Sequence, residues 1–140
     1  ELRYQVAKLG LSKKVIFTGF IGFEELPGYL AAANVAVNPM KSSLVSNVAF
    51  PNKVIQYLAT GLAVATTRLK GLELTFGHVP GMRYAETPEQ VMQQALSLAA
   101  RKDLWQLGRA NQVLVAGKFS RDESVKAFED RLLGVVRRHG

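Results

Sequence analysis

Apolar residues along this chain follow two rhythms that alternate from one end to the other. Val15-Ile16-Phe17-Thr18-Gly19, Val35-Ala36-Val37-Asn38-Pro39 and Ala63-Val64-Ala65-Thr66-Thr67 are short continuous runs, the pattern of strands buried on both faces. Elsewhere apolar positions recur three and four apart, the pattern of amphipathic helices. Leu2, Val6 and Leu9 predict a helix over 1–9 that Gly10 ends, and Leu26, Tyr29 and Leu30 predict another over 25–33. A polar loop over 40–50 leads to a short helix whose first residue is Pro51 and whose stop is Gly61. Residues 70–80 read as a loop punctuated by Gly and Pro, and 82–85 as a short edge strand. Thr87-Pro88-Glu89-Gln90 is a capping box that opens a helix over 88–100. A further helix is predicted over 103–116. Ser120-Arg121-Asp122-Glu123 caps the last one, which carries Val125, Phe128, Leu132 and Val135 on one stripe.

Strands alternating with helices predict an α/β fold: a Rossmann-like parallel sheet with helices on both faces, in one domain over 1–140. Three or four strands are few for a doubly wound domain, and a strand before Glu1 would complete the sheet. The chain opens on Glu1-Leu2-Arg3-Tyr4 without an initiator Met, so it reads as a fragment of a longer protein.

Composition narrows the classes. Apolar residues at 48% and charged ones at 21% belong to a folded chain, not a disordered one. The absence of Cys excludes disulfides and thiolate metal sites. No apolar run approaches the ~18 residues of a membrane span. The net charge of +7 suits either a solvated surface or attraction to an anionic partner. Its basic residues are scattered, as in Lys13-Lys14, Arg101-Lys102 and Arg137-Arg138, without aromatic interleaving. A nucleic-acid partner is therefore not expected.

The Pro51 helix carries the chemistry. Phe50 before it has no side-chain oxygen to act as a cap, so the amides of Asn52, Lys53 and Val54 lack intrahelical partners. With Lys53 in the first turn, such a start suits a diphosphate. The competing reading has Ser46, Asn47 or water supplying the cap. Lys53, Gln56 and Thr60 share a stripe left free by Val54, Ile55, Leu58 and Ala59. Gln56 can hydrogen-bond ribose hydroxyls there, or simply form a solvated helix edge. His78, His139, Glu73, Glu86 and Glu89 assemble into no catalytic arrangement, and neither a Gly-x-Gly-x-x-Gly turn nor a nucleophile elbow is present. No cofactor or metal is required, because a lysine and a helix N-terminus can neutralise a diphosphate.

Val15 to Gly19, Glu25 to Pro39 and Lys53 to Ala65, in this order and spacing, resemble the C-terminal half of GT-B glycosyltransferases, near family 4 or group 1. The resemblance covers about residues 1–130. It implies a donor-binding domain for a nucleotide-diphosphate sugar, UDP-sugar favoured over GDP-sugar, in an enzyme that transfers the sugar to an acceptor hydroxyl. It further implies a separate N-terminal domain that binds the acceptor and supplies the catalytic base, so no catalytic residue is expected in this fragment. Bacterial polysaccharide or glycolipid synthesis is the implied setting, in the cytoplasm or peripherally at the inner face of the membrane.

The family often carries two glutamates with seven residues between them, at positions held here by Val48 and Gln56. The Lys-x-x-Gln-Tyr form at Lys53, Gln56 and Tyr57 is similar to the branch that includes the xanthan glucuronosyltransferase, where Lys is associated with pyrophosphate and Gln with the nucleotide. That branch inverts and the larger family retains, so both stereochemical outcomes stay open. The same resemblance implies a nucleobase near Gly19, Phe20 and Ile21, and puts Lys41, Ser42 and Ser43 within reach of sugar or phosphates. The rival readings are a degenerate, non-catalytic scaffold of the same fold and a nucleotide-binding domain unrelated to sugar transfer.

Overall fold

The structure is a computed structural model that describes residues 1–41, 43–48 and 51–139, with side chains described at all of these except 47, 48 and 136–139. In chain order the elements are α1 (Leu2–Lys8), α2 (Leu26–Ala31), β1 (Val35–Asn38), α3 (Leu44–Val48), α4 (Asn52–Ala59), β2 (Ala63–Thr67), α5 (Lys70–Phe76), β3 (Met82–Ala85), α6 (Pro88–Ala99), α7 (Leu104–Lys118) and α8 (Arg121–His139).

Three parallel strands form one sheet in the order β1-β2-β3. Val35 pairs with Ala63 and Asn38 with Thr66, while Val64 pairs with Met82 and Thr67 with Ala85. All of β2 is buried, as a central strand covered on both faces must be. Alternate residues of the strands face opposite layers. Ala36, Val64 and Met82 join Val54 and Leu58 of α4, Leu72 and Phe76 of α5 and Val115 of α7 in one core. Ala63, Ala65 and Ala85 join Val91, Ala95 and Leu98 of α6 in the other. The small strand residues on that second face let α6 lie close against the sheet. The α/β plan with helices on both faces is thus present.

Two close fits lock the amino edge of the sheet. Gly61, at φ +80°, ends α4, with its own N–H donating to Leu58 O and the Leu62 N–H to Tyr57 O, both at 3.0 Å. A Cβ on Gly108 of α7 would lie 1.9 Å from the Gly61 carbonyl oxygen, so this helix contact requires glycine. Asn111, fully buried, accepts from Gly81 N at 3.2 Å and donates to Leu62 O at 2.9 Å, tying α7 to the starts of both β2 and β3.

Four sequence expectations change. Val15–Gly19 is not a strand: no described strand lies beside it to complete a ladder, and Ile16 and Phe20 are 86% and 98% exposed. Phe17 instead meets the Arg3 guanidinium of α1, 4.8 Å from its ring centre. Residues 70–80 are not all loop, because Leu72 and Phe76 bury one face of α5, continued by the buried Leu69 just before it, despite Gly71. The polar loop over 40–50 contains α3. Finally, Pro51 caps α4 from outside at φ −74°, ψ 95°, and the helix begins at Asn52.

The helix ends marked by capping boxes form as the sequence indicates, with one change of partner. Thr87 Oγ1 accepts from Gln90 N at 3.3 Å, but the Gln90 side chain accepts from Glu86 N at 3.0 Å and not from Thr87. At α8, Ser120 Oγ accepts from Glu123 N at 3.2 Å.

Candidate functional site

Residues 60–62 lead from the end of α4 into the amino end of β2, so α4 runs antiparallel to the strands and starts at their carboxyl edge. Two-residue links place the starts of α5 and α6 at that same edge, after β2 and β3. Positive helix ends gathered outside the carboxyl ends of parallel strands are where α/β sheets receive anionic ligands.

At α4 no side chain caps the start. The amides of Asn52 and Lys53 have no partner among the described residues, and both residues are exposed. Val54 differs: its N–H donates to Pro51 O at 2.9 Å and its side chain is fully buried in the core. It is therefore removed from the set of amides open to a ligand. Lys53 has no carboxylate partner among the described residues. Gln56 is exposed one turn on, its side-chain amide without a partner among the described residues. It lines a cleft of about 210 Å³ with Phe23, Leu26, Pro27 and Leu30.

Ser46 does not fold back onto α4. Its hydroxyl donates to Lys41 O at 2.9 Å and accepts from Ser43 N at 2.7 Å, while Ser43 Oγ accepts from Ser46 N at 3.0 Å. The two serines thus cap α3 reciprocally, and the Ser43 hydroxyl is engaged there. Ser42, Phe50 and the side chains of Asn47 and Val48 lie outside the described residues. Lys41 is exposed and sits within electrostatic reach of Glu89, whose carboxyl is held below its usual range by its own backbone amide, then by the Thr87 hydroxyl, with Lys41 adding to the effect.

Beneath this edge lies a polar layer that the strand assignments passed over. Asn38 and Thr66, both fully buried, are register partners, and Asn38 Nδ2 donates to Thr66 Oγ1 at 2.9 Å. Thr66 Oγ1 in turn donates to Thr67 O at 3.1 Å. Asn38 Oδ1 and Thr67 Oγ1, also buried, have no partner among the described residues. The signal was present in the sequence: each apolar run turns polar at its carboxyl end, where a fully buried strand otherwise has no use for amides or hydroxyls.

On the β2–β3 side, Arg68 joins α5, β3 and the link from β3 to α6. Its Nε donates to Glu86 at 2.7 Å, its Nη1 donates to Glu73 of α5, and its guanidinium lies 5.4 Å from the Tyr84 ring centre. Burial first, then the Glu73 charge, pushes the Tyr84 phenol up to about 12, against the opposing pull of Arg68. Glu73 and Glu86 are therefore ion-pair partners here.

Gly19, at φ +68°, turns the chain ahead of Phe20, which is almost wholly exposed, and Ile21, which is half-buried. The structure brings Phe23, just beyond this segment, to the same cleft as Gln56. No hydrogen bond joins Gly19, Phe20 or Ile21 to the α4 start among the described residues. Nor do three His, Asp or Glu side chains converge as metal ligands among them, and no described helix is long and apolar enough to cross a membrane.

The family described as "Glycosyl transferases group 1" matches this chain over residues 1–101. No curated protein and no solved structure matches it.

Proposed function

Because the chain belongs to the group 1 glycosyl transferase family, we propose that its carboxyl-edge cleft binds the nucleotide-diphosphate sugar of a glycosyl transfer reaction. One observation carries this reading: α4 starts without a side-chain cap, with Asn52 and Lys53 exposed and Lys53 unpaired among the described residues. Two amide donors and an ammonium would hold the diphosphate and offset the charge that develops on it as the glycosidic bond breaks. Gln56, one turn along, would take ribose hydroxyls, and the cleft it shares with Phe23 would lie toward the base. Lys41 would approach the sugar or phosphates.

The donor in this reading is a UDP-sugar, with hexosyl or glucuronosyl transfer to an acceptor hydroxyl in bacterial polysaccharide or glycolipid synthesis. The acceptor and the catalytic base belong to an N-terminal domain of the same protein, working in the cytoplasm or at the inner membrane face. The Lys-x-x-Gln-Tyr pattern supports the comparison with the glucuronosyltransferase branch.

Calorimetric titration of the chain and its Lys53→Ala variant with UDP, UDP-glucose and UDP-glucuronate tests the proposal. The variant is expected to lose about 1.5–3 kcal/mol of binding, the range of a charge-assisted hydrogen bond. A loss below about 0.5 kcal/mol in a folded variant rejects the diphosphate site.

A further inference from the structure

Trp105, Arg109 and Gln112 fall at i, i+4 and i+7 along α7, on one stripe of the helix. Trp105 is the sole tryptophan of the chain and is 76% exposed, an unusual setting for so large an aromatic surface. With Leu30, Thr60 and Gly61 these three residues line a depression of about 250 Å³ at the amino edge of the sheet. Arg109 and Gln112 also line a second depression of about 630 Å³, which continues between α4 and α7 past Ile55 and Val113. The two share a wall, so together they make an elongated groove.

Its polar groups are fixed in place. Gln112 Nε2 donates to Ala59 O at 3.1 Å, and Gln112 Oε1 accepts from Arg109 Nη1 at 2.6 Å. This orients the guanidinium while leaving its Nε and Nη2 donors without a partner among the described residues, and no described carboxylate pairs with it. Thr60 Oγ1 donates to main-chain carbonyls and keeps lone pairs able to accept.

We propose that this groove binds an oligosaccharide that carries carboxylates. The C–H face of a pyranose ring packs on a flat, exposed indole, whose rigid area costs little ordering entropy. One oriented guanidinium matches one uronate carboxylate in bidentate geometry. A nucleic acid would call for several cations along the groove, and Arg109 is the only basic residue lining either depression among the described residues. Length favours a chain of sugars over a single one, and the net charge of +7 favours an acidic chain. The smaller depression lies at the sheet edge opposite the α4 start, shares Leu30 and Thr60 with the Gln56 cleft, and leads into the larger one that reaches Ile55 in the first turn of α4, so the groove adjoins the proposed donor site while Trp105 and Arg109 belong to the groove and not to that cleft.

Because Trp105 is the only tryptophan, its intrinsic fluorescence reports on its own surroundings in the groove. The chain is titrated with tetragalacturonate, with neutral cellotetraose and with UDP. Saturable change with tetragalacturonate is expected, with a Kd on the order of 1 mM, and no displacement by UDP. Arg109→Gln is expected to weaken that binding ~10-fold. Trp105→Ala, followed by NMR of the Arg109 side chain, is expected to abolish it while the circular dichroism stays unchanged. No response up to ~10 mM, equal affinity for cellotetraose, an unaffected Arg109→Gln variant, or displacement of tetragalacturonate by UDP would each overturn the assignment.

Discussion

The side chains of Asn38 and Thr66 join the carboxyl ends of β1 and β2 through a buried 2.9 Å hydrogen bond. They are register partners, and neither is reached by solvent. The bond fixes the relative position of two strand ends that flank the cleft at which α4 begins, while Asn38 keeps one unpartnered oxygen.

Cutting this pair from one side leaves a buried polar group without its partner. Asn38→Leu or Thr66→Val is expected to lower stability by about 1–3 kcal/mol, measured by urea unfolding. The double variant Asn38→Leu/Thr66→Val is expected to lose much less than the sum, because no polar partner remains behind. Additive losses would show that the two side chains do not interact.

The α4–α7 contact is expected to tolerate no side chain at Gly108, where a Cβ would meet the Gly61 carbonyl oxygen at 1.9 Å. Gly108→Ala should destabilise by roughly 1–3 kcal/mol or more, since backbone has to move on both sides. Gly61→Ala should cost about 1–2 kcal/mol for a different reason, its φ of +80°. Thermal melts of both variants check this, and an unchanged Gly108→Ala would contradict the close approach.

Tyr84 makes stability depend on alkaline pH. Its folded pKa of about 12 exceeds the ordinary value of 10.0 that applies once the chain unfolds. The neutral phenol therefore favours the folded state fully below pH 10, and that contribution fades as pH rises toward 12. Urea midpoints measured across this window should fall in the native chain and fall less in Tyr84→Phe. An identical slope in both would remove Tyr84 as the cause.

Gln56 stands where a carboxylate would accept two ribose hydroxyls more strongly than an amide does. Gln56→Glu is expected to preserve or improve binding of UDP. Weakened binding in a folded variant, measured by calorimetry, would count against the ribose role.

Much of the plan was written locally in the chain. Val35–Asn38 and Ala63–Thr67 read as buried strands because both faces are covered, and Gly61 and Thr87 mark helix ends through their own backbone needs. Val15–Gly19 carries the same apolar signal, yet a strand also needs a neighbour, and a local run of residues says nothing about which neighbours exist. In α5 the spacing of Leu69, Leu72 and Phe76 was legible but was outweighed by Gly71 and Gly77. At the candidate site, Lys53 and Gln56 were legible as an exposed stripe. The burial of the Val54 amide was not, because it follows from Pro51 standing just outside the helix. Asn111 gave no local sign at all, since its partners Gly81 and Leu62 lie 30 and 49 residues away.

Residue-resolved NMR titration with UDP and GDP tests the central claim most directly. Concentrations must reach the millimolar range, equivalent to about −4 kcal/mol of binding. Saturable shifts are expected at the Asn52 and Lys53 amides and the Gln56 side chain, stronger for UDP than for GDP and lost in Lys53→Ala. Amides at Asn52 and Lys53 that stay unmoved up to ~10 mM UDP would contradict that claim.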